Sequence, residues 1–300
     1  MNIKSAFRSN RACLAMTGLS VIEFEELVPM FSQCLLEERI KRNPYRKRKY
    51  GGGRTGGLRT LEEKLFYVLM YLKTYPTFDV ASFYLGLDRS NCCRAIQAFL
   101  PVLSKTLGRK LTLPKRQIRS VEEFARLFPE IKDVFPDGTE RRVQRPKDIK
   151  RRNKLYSGKR KAITRKNIIV ADEKRRVLVL TPTKSGRRHD KRLFDKFIGA
   201  RNIPKDVAIW PDTGFKGIEH EHPKTQMPKK RSKNHPLTES DKENNRLISS
   251  IRVVSEHALA GIKRLRAVTD VYRNKLPNLD DTFMLLASGL WNYHLDVTVS

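Results

Sequence analysis

The apolar residues of this chain change their period at one place, the stretch "LTLPKRQIRS" (111–120). Upstream, Leu19, Ile22, Phe24, Leu27 and Phe31 recur at helical spacing, and so do Leu61, Leu65, Val68, Leu69 and Leu72. Downstream the pattern becomes strand-like. "IKDVFPDG" (131–138) reads as a strand ending in a turn, and "KNIIVADEKRRVLVLTP" (166–182) as a hairpin about "DEKR". "DVAIWPDTGF" (206–215) is a further strand running into a turn. Helical stretches interleave with these: "VEEFARLF", "HDKRLFDKFIG" (189–199), a long one from about Thr238 to Arg266, and "DDTFMLLASGLWNYHL" (280–295). The switch predicts an all-α domain over 1–115, followed over 116–300 by an α/β domain in which helices cover a mixed sheet. Three hundred residues suffice for both cores.

Within the first part, residues 61–107 read as helix, short helix, helix. The short helix, Phe78 to Leu85, stops at Gly86, and the next begins near Asp88 or Ser90, both good N-caps. Cys93, Ile96, Leu100 and Leu103 are expected to face inward. That succession is a helix-turn-helix pattern, and it leaves Arg89, Asn91, Arg94 and Gln97 on the outer start of the last helix. These side-chain types suit base edges and phosphates; a plain helical bundle would show the same apolar faces. Before it lies "KRNPYRKRKYGGGRTGGLRT" (41–60), with eight basic residues and five glycines, Arg46, Lys47 and Arg48 among them. Such a segment cannot bury a core and is expected to be a basic arm that contacts phosphate or a groove.

Charge limits the partners. The chain has 62 Lys and Arg against 32 Asp and Glu, a net +30. An excess of one sign this large points to nucleic acid, an anionic membrane or an acidic protein. No run approaches 18 apolar residues, which argues against a membrane span. Lys and Arg make up 13 of the 26 residues from Arg141 to Lys166, and "HPKTQMPKKRSKNHP" (222–236) is similar. Both are expected in loops beside strand ends, where a polyanionic substrate would lie. The four cysteines, Cys13, Cys34, Cys92 and Cys93, form no C-x-x-C pair. They read as small buried residues of a reducing cytoplasm, with no structural zinc.

Acids near strand ends are informative in so basic a chain. Asp137 in "FPDGTE" and Asp212 in "IWPDTGF" close two strands, and Glu256 lies in the long helix. Each has a plain reading: "PDG" and "PDTG" are common turns, and Glu256 has Arg252 one turn before it. Together they suit a phosphoryl-transfer site. Mg²⁺ (or Mn²⁺) takes one or two carboxylates plus waters and phosphate oxygens. Two such ions, roughly 3.5–4 Å apart, activate the attacking oxygen and stabilise the leaving one. On the helix, Arg252, Glu256 and Lys263 fall within about 40° of one another, beside a core stripe of Ile251, Val254, Ala258, Ile262 and Leu265. Lys263 is about 10 Å along the axis from Glu256, too far for a local salt bridge, so the stripe reads as a ladder for a phosphodiester backbone. Auxiliary positions are His189 and Asp190 at the start of a helix, Trp210 as a stacking platform for an unpaired base or a core residue, and Glu140 three residues past Asp137. The "HEH" at 220–222 lacks the neighbours of a metal or nuclease motif.

Several stretches taken together, "KLFYVLMYLKTYPTFDVASFYLGLDRS", "DGTERRVQRPKD", "YSGKRKAITRKN", "SGRRHDKRLFD", "DTGFKG" and "LTESDKENNRLISSIRVVSEHALAGIKR", resemble bacterial insertion-sequence transposases of the DDE superfamily, close to the insertion-sequence-five family. They span about 50 to 295. The resemblance implies a ribonuclease-H-like catalytic domain behind a helix-turn-helix, with the catalytic, metal-holding triad on Asp137, Asp212 and Glu256. It implies a Tyr, Arg, Glu, Lys signature as well, matched by Arg252, Glu256 and Lys263; the tyrosine position holds Ser249. The expected activity is metal-dependent cleavage of transposon ends and transfer of the freed 3′-OH into target DNA, two metal ions serving each site. Its partners would be double-stranded DNA, both ends and target, and a second copy of the chain in a dimer or larger assembly. The expected place is the bacterial cytoplasm, on nucleoid DNA. Two rival readings are a non-catalytic helix-turn-helix DNA binder and a structure-specific nuclease that never joins.

Overall fold

The computed structural model describes residues 3–45, 47, 57–231 and 236–299. Arg46 and Arg48 of the basic arm lie outside the described residues; Lys47 is exposed. The chain divides into two compact units, one of Met1–Leu113, Lys263–Asp270 and Thr282–Ser300, the other of Pro114–Ile262 and Val271–Asp281.

The first unit is helical. A short 3-10 turn leads into α1 (Asn10–Thr17) and α2 (Val21–Arg42), followed by α3 (Leu61–Thr74), α4 (Phe78–Leu85) and α5 (Arg89–Arg109). Helix α3 starts at a capping box, Thr60 bonding the Glu63 N–H and Glu63 bonding back, and is buried without a break from Lys64 to Leu72. A helix apolar all round is a central helix. Thr77 caps α4, which stops at Gly86 in the left-handed region (φ 61). Asp88 then caps α5 by accepting the N–H of Ser90 at 2.8 Å. Cys92 is the buried cysteine here and Cys93 is only half-buried, one position off the expected inward face. Tyr67 sets that phase by donating to the Cys92 carbonyl at 3.1 Å.

The second unit begins with α6 (Val121–Leu127), β1 (Asp133–Arg142) and α7 (Ile149–Leu155). It continues through β2 (Tyr156–Ser157), β3 (Ala162–Asp172), β4 (Val177–Leu180), β5 (Lys184–Ser185), α8 (Asp190–Phe197), β6 (Ala208–Ile209) and α9 (Glu239–Lys263). The sheet runs β2-β3-β1-β6, with β4 and β5 also pairing with β3. Strand β1 is central, antiparallel to β3 and parallel to β6. Val134, Ile168 and Val170, alternate residues of β1 and β3, pack with Leu193 and Phe194 of α8. Burying such side chains is worth about 1.5–3 kcal/mol each, which holds α8 to this sheet.

Two expectations change here. The "PDG" of β1 is no turn: the strand pairs with β3 without interruption from Val134↔Asp172 to Arg142↔Thr164. The basic run 141–166 is not one loop either, since it contains α7, β2 and the start of β3.

The last elements are α10 (Arg266–Thr269) and α11 (Leu279–Val299). The long helix therefore stops at Lys263 rather than Arg266. Segments 263–270 and 282–300 belong with the helical unit, not with the sheet as the 116–300 reading has it. Packing is the reason. Phe283 meets Tyr71 of α3 edge-on, Tyr293 donates to the Glu23 carbonyl at 2.8 Å, and Asn292 donates to the Thr112 carbonyl at 2.8 Å.

Candidate active site

Backbone register brings the two aspartates to one level. The parallel pairs Asp133↔Ala208 and Val134↔Ile209 join β1 to β6, and the Trp210 N–H extends the ladder to the Val134 carbonyl at 2.9 Å. Pro211 has no N–H, so pairing ends there. Asp137 and Asp212 each lie three residues past the Val134↔Ile209 pair, on neighbouring segments. Neighbouring strands are about 4.8 Å apart, so these carboxylates belong to one small region. Each is anchored by its own backbone: Asp137 Oδ1 accepts the Gly138 N–H at 2.7 Å, and Asp212 Oδ1 the Gly214 N–H at 2.8 Å. The second bond caps the 3-10 turn Thr213–Phe215. Both aspartates are half-buried.

Trp210 supports this corner rather than waiting for a base. Its ring stacks on Phe135, centroids 6.4 Å apart and 15° between planes, and its Nε1 donates to Asp133 at 2.6 Å. Its carbonyl accepts from Arg252 Nε at 3.3 Å. That bond ties α9 to the segment carrying Asp212. It also gives Arg252 a partner the sequence did not suggest, and no ion pair joins Arg252 to Glu256 among the described residues.

Glu256 is exposed on α9, one turn after Arg252; Ser249 is exposed too, and Lys263 is the exposed last residue of the helix. Among the described residues no group of three His, Cys, Asp or Glu side chains is gathered closely enough to hold a metal ion. The three acids are thus not drawn into one cluster among the described residues: register joins Asp137 and Asp212, whereas Glu256 stands exposed on α9.

A different acid is close to both aspartate segments. Asp190, the first residue of α8, is buried, and its carboxylate lies against Gly138 and Gly214. Lys166 Nζ meets Asp190 Oδ1 at 2.7 Å, Glu140 Oε1 at 3.2 Å and the Arg188 carbonyl at 2.8 Å. Burial pushes the Glu140 carboxyl up, yet hydrogen bonds from Thr164 and Ser157 and the Lys166 ammonium leave it below the usual range. His189 is exposed and makes no capping bond. Sequence reasoning did not single out Lys166, which closes the basic run and opens the expected hairpin. Its signal was the phase it shares with Ile168 and Val170 on the core side of β3.

On the helical unit, Arg89, Asn91, Arg94 and Gln97 are all exposed at the start of α5. Arg94 donates to Asn91 Oδ1 at 2.8 Å, Gln97 contacts Cys93 Sγ at 3.2 Å, and Arg89 pairs loosely with Asp79 at 3.5 Å. Among the described residues no helix is long and apolar enough to cross a membrane.

Comparison with known proteins finds two family matches along the chain. Residues 57–109 match the helix-turn-helix of DDE superfamily endonuclease, and residues 136–292 match the DDE superfamily endonuclease domain itself. A protein of Microchaete diplosiphon named as the probable transposase for insertion sequence element IS702 is 28% identical over 280 residues, covering 93% of each chain. No solved structure matches significantly. The mixed sheet of parallel and antiparallel strands behind a helical region fits a ribonuclease-H-like α/β domain. Spanning more than half of the sequence and containing Asp137, Asp212 and Glu256, the endonuclease match shows that the chain belongs to the DDE superfamily endonucleases.

Proposed function

We propose that this chain is a DNA transposase that cleaves phosphodiester bonds at the ends of its own element and joins the freed 3′-OH to target DNA. The observation that carries this reading is the register of β1 and β6, which brings Asp137 and Asp212 level at the end of the shared ladder. Family membership and the transposase name of the relative support it.

The donor set fits hard divalent cations, Mg²⁺ or Mn²⁺, which take carboxylate oxygens and leave positions for phosphate. Asp137, Asp212 and Glu256 would hold two such ions, and these would lower the pKa of an attacking water or 3′-OH and neutralise charge on the leaving oxygen. The protein's own part is positioning. The N–H groups of Gly138 and Gly214 fix the two aspartates. The Trp210 carbonyl holds the guanidinium of Arg252 by its Nε, which leaves its outer nitrogens to face a phosphate. Lys263 adds a second positive charge along the same helix. Glu256 would be drawn to the aspartates as bound cations cancel the repulsion among three carboxylates.

Arg89, Asn91, Arg94 and Gln97 would read the element end, and Arg46, Lys47 and Arg48 would grip its backbone. Two ends must be paired for transposition, which calls for two copies of the chain. The work is done on nucleoid DNA in the bacterial cytoplasm. The test is incubation of the protein with DNA carrying the native element ends, Mg²⁺ and a supercoiled target. Nicked ends and joined products are expected. Cleavage without joining makes the protein a nuclease, and binding without cleavage makes it a DNA-binding relic.

A further inference from the structure

Asp190 is only 7% exposed, and its carboxylate fills the space where two side chains are missing. A Cβ on Gly138 would lie 3.2 Å from Asp190 Oδ1, and one on Gly214 would lie 3.1 Å from Asp190 Oδ2 and 2.9 Å from Asp212 Oδ1. Neither glycine has a positive φ, so the backbone does not call for glycine at either place. Space does. These are also the two residues whose N–H groups orient the aspartates, Gly138 for Asp137 and Gly214 for Asp212. One buried carboxylate therefore occupies the space beside both glycines whose N–H groups orient the candidate acids.

That carboxylate is itself held in place. Lys166, 5% exposed, faces Glu140 across the β1/β3 ladder and reaches Asp190 Oδ1 at 2.7 Å. The Lys166 ammonium also bonds the Arg188 carbonyl, next to the start of α8. Two buried acids share one buried cation, and the exposed Lys159 lies 3.9 Å from Asp190 Oδ2. An arrangement this costly to desolvate contributes little to stability compared with an apolar pair of similar volume. Its use lies in geometry: it joins β1, β3, the loop before α8, and α8 at a single point.

We propose that Asp190 is a positioning residue for the cleavage reaction: clamped by Lys166, its carboxylate is the spacer that sets the separation of Asp137 from Asp212. The proposal rests on reading those two aspartates as the catalytic acids. A displacement of the reacting groups near 1 Å costs up to about 10²-fold in rate, so modest changes in the spacer are visible.

The experiment uses the full chain on end-containing DNA with Mn²⁺, at saturating DNA, with Mn²⁺ affinity measured separately by calorimetry. Asp190→Asn keeps the size and loses the clamp; Gly138→Ala pushes the carboxylate away. Each should lower the cleavage rate at least tenfold and weaken Mn²⁺ binding, while DNA half-saturation and the unfolding midpoint stay near wild type. In an Asp190→Ser background, where the crowding carboxylate is gone, Gly138→Ala should cost less than twofold more. Wild-type rates in Asp190→Asn overturn the proposal. So do losses that track DNA affinity or the unfolding midpoint, or a double variant in which the two losses multiply. A wild-type chain that neither cleaves nor binds Mn²⁺ overturns the reading of Asp137 and Asp212, and the spacer with it; an active wild type beside an unaffected Asp190→Asn overturns the spacer alone.

Discussion

The aspartates and the glutamate of the candidate site are held in different ways. Asp137 and Asp212 project from segments fixed by a parallel ladder, each with an oxygen bonded to a nearby backbone N–H. Glu256 stands exposed on α9, whose tie to this corner is the Arg252 bond to the Trp210 carbonyl. Two acids are thus preorganised by covalent and backbone geometry, and the third depends on how a helix docks. Preorganised charge is useful to catalysis because it costs no rearrangement at the moment of reaction. An exposed third acid set apart from the other two has another use, since three carboxylates held together without cations would repel one another.

The largest expected effect tests that division directly. Asp137→Asn or Asp212→Asn should reduce end cleavage by on the order of 10³-fold, a loss of several kcal/mol of charge stabilisation. End binding, followed by fluorescence anisotropy, should stay near wild type. Glu256→Gln should match that loss if the glutamate joins the aspartates once DNA is bound. Near wild-type cleavage by Glu256→Gln would falsify the triad and leave the two strand acids, with Asp190, as the site.

A second contrast lies along the same ladder. Asp190 is buried with a lysine at 2.7 Å; Asp172, paired with Val134 near the other end of β1, is buried and accepts the hairpin N–H of Arg176 at 2.8 Å. Burial pushes the Asp172 carboxyl up to about 6, against the hydrogen bonds that oppose it. A raised carboxyl stabilises the fold fully below its unfolded value near 4, and that contribution is lost as pH rises through about 6. Asp172→Asn keeps the acceptor oxygen and removes the charge. Thermal unfolding should therefore show the variant and wild type alike at pH 4, with the variant gaining up to about 3 kcal/mol by pH 8. Parallel curves across that range would mean that Asp172 is solvated better than its burial suggests.

Much of this was legible in the sequence because period and breakers are local. The hairpin of β3 and β4 and the caps of α4 and α5 follow from short-range pattern. What was not legible depended on packing at a distance. Gly138 looked like a turn glycine because "PDG" is a turn in isolation; β3 pairing straight past it makes it a strand residue with Asp190 in place of a side chain. Lys166 looked like one more surface cation until its phase put it beside Glu140. The return of 282–300 to the helical unit rests on partners such as Tyr71 and Glu23, more than 200 residues away in sequence.

Arg252 carries the link between the fixed and the exposed acid. Arg252→Lys keeps the charge but loses the Nε–H bond to Trp210. A charge-assisted bond of this kind is worth about 1.5 kcal/mol or more, so cleavage should fall about tenfold, and more than in Lys263→Arg. An equal, small loss in both would mean that the stripe acts only as a positive surface and leaves the docking of α9 to other contacts.

The smallest effect separates reading from cutting. Arg94 and Asn91 lie together at the exposed start of α5, joined by a 2.8 Å bond, as a pair suited to base edges. Removing one such contact costs about 1–3 kcal/mol of discrimination. Arg94→Ala should lower affinity for the native end by about tenfold relative to scrambled DNA, with little change in cleavage rate at saturation. Lys47→Ala should instead weaken both DNAs alike and flatten the salt dependence, as a phosphate contact does. If Arg94→Ala weakens end and scrambled DNA equally, α5 grips the backbone without reading it. The preference for element ends would then have to come from the acid-bearing unit or from the deformability of the DNA itself.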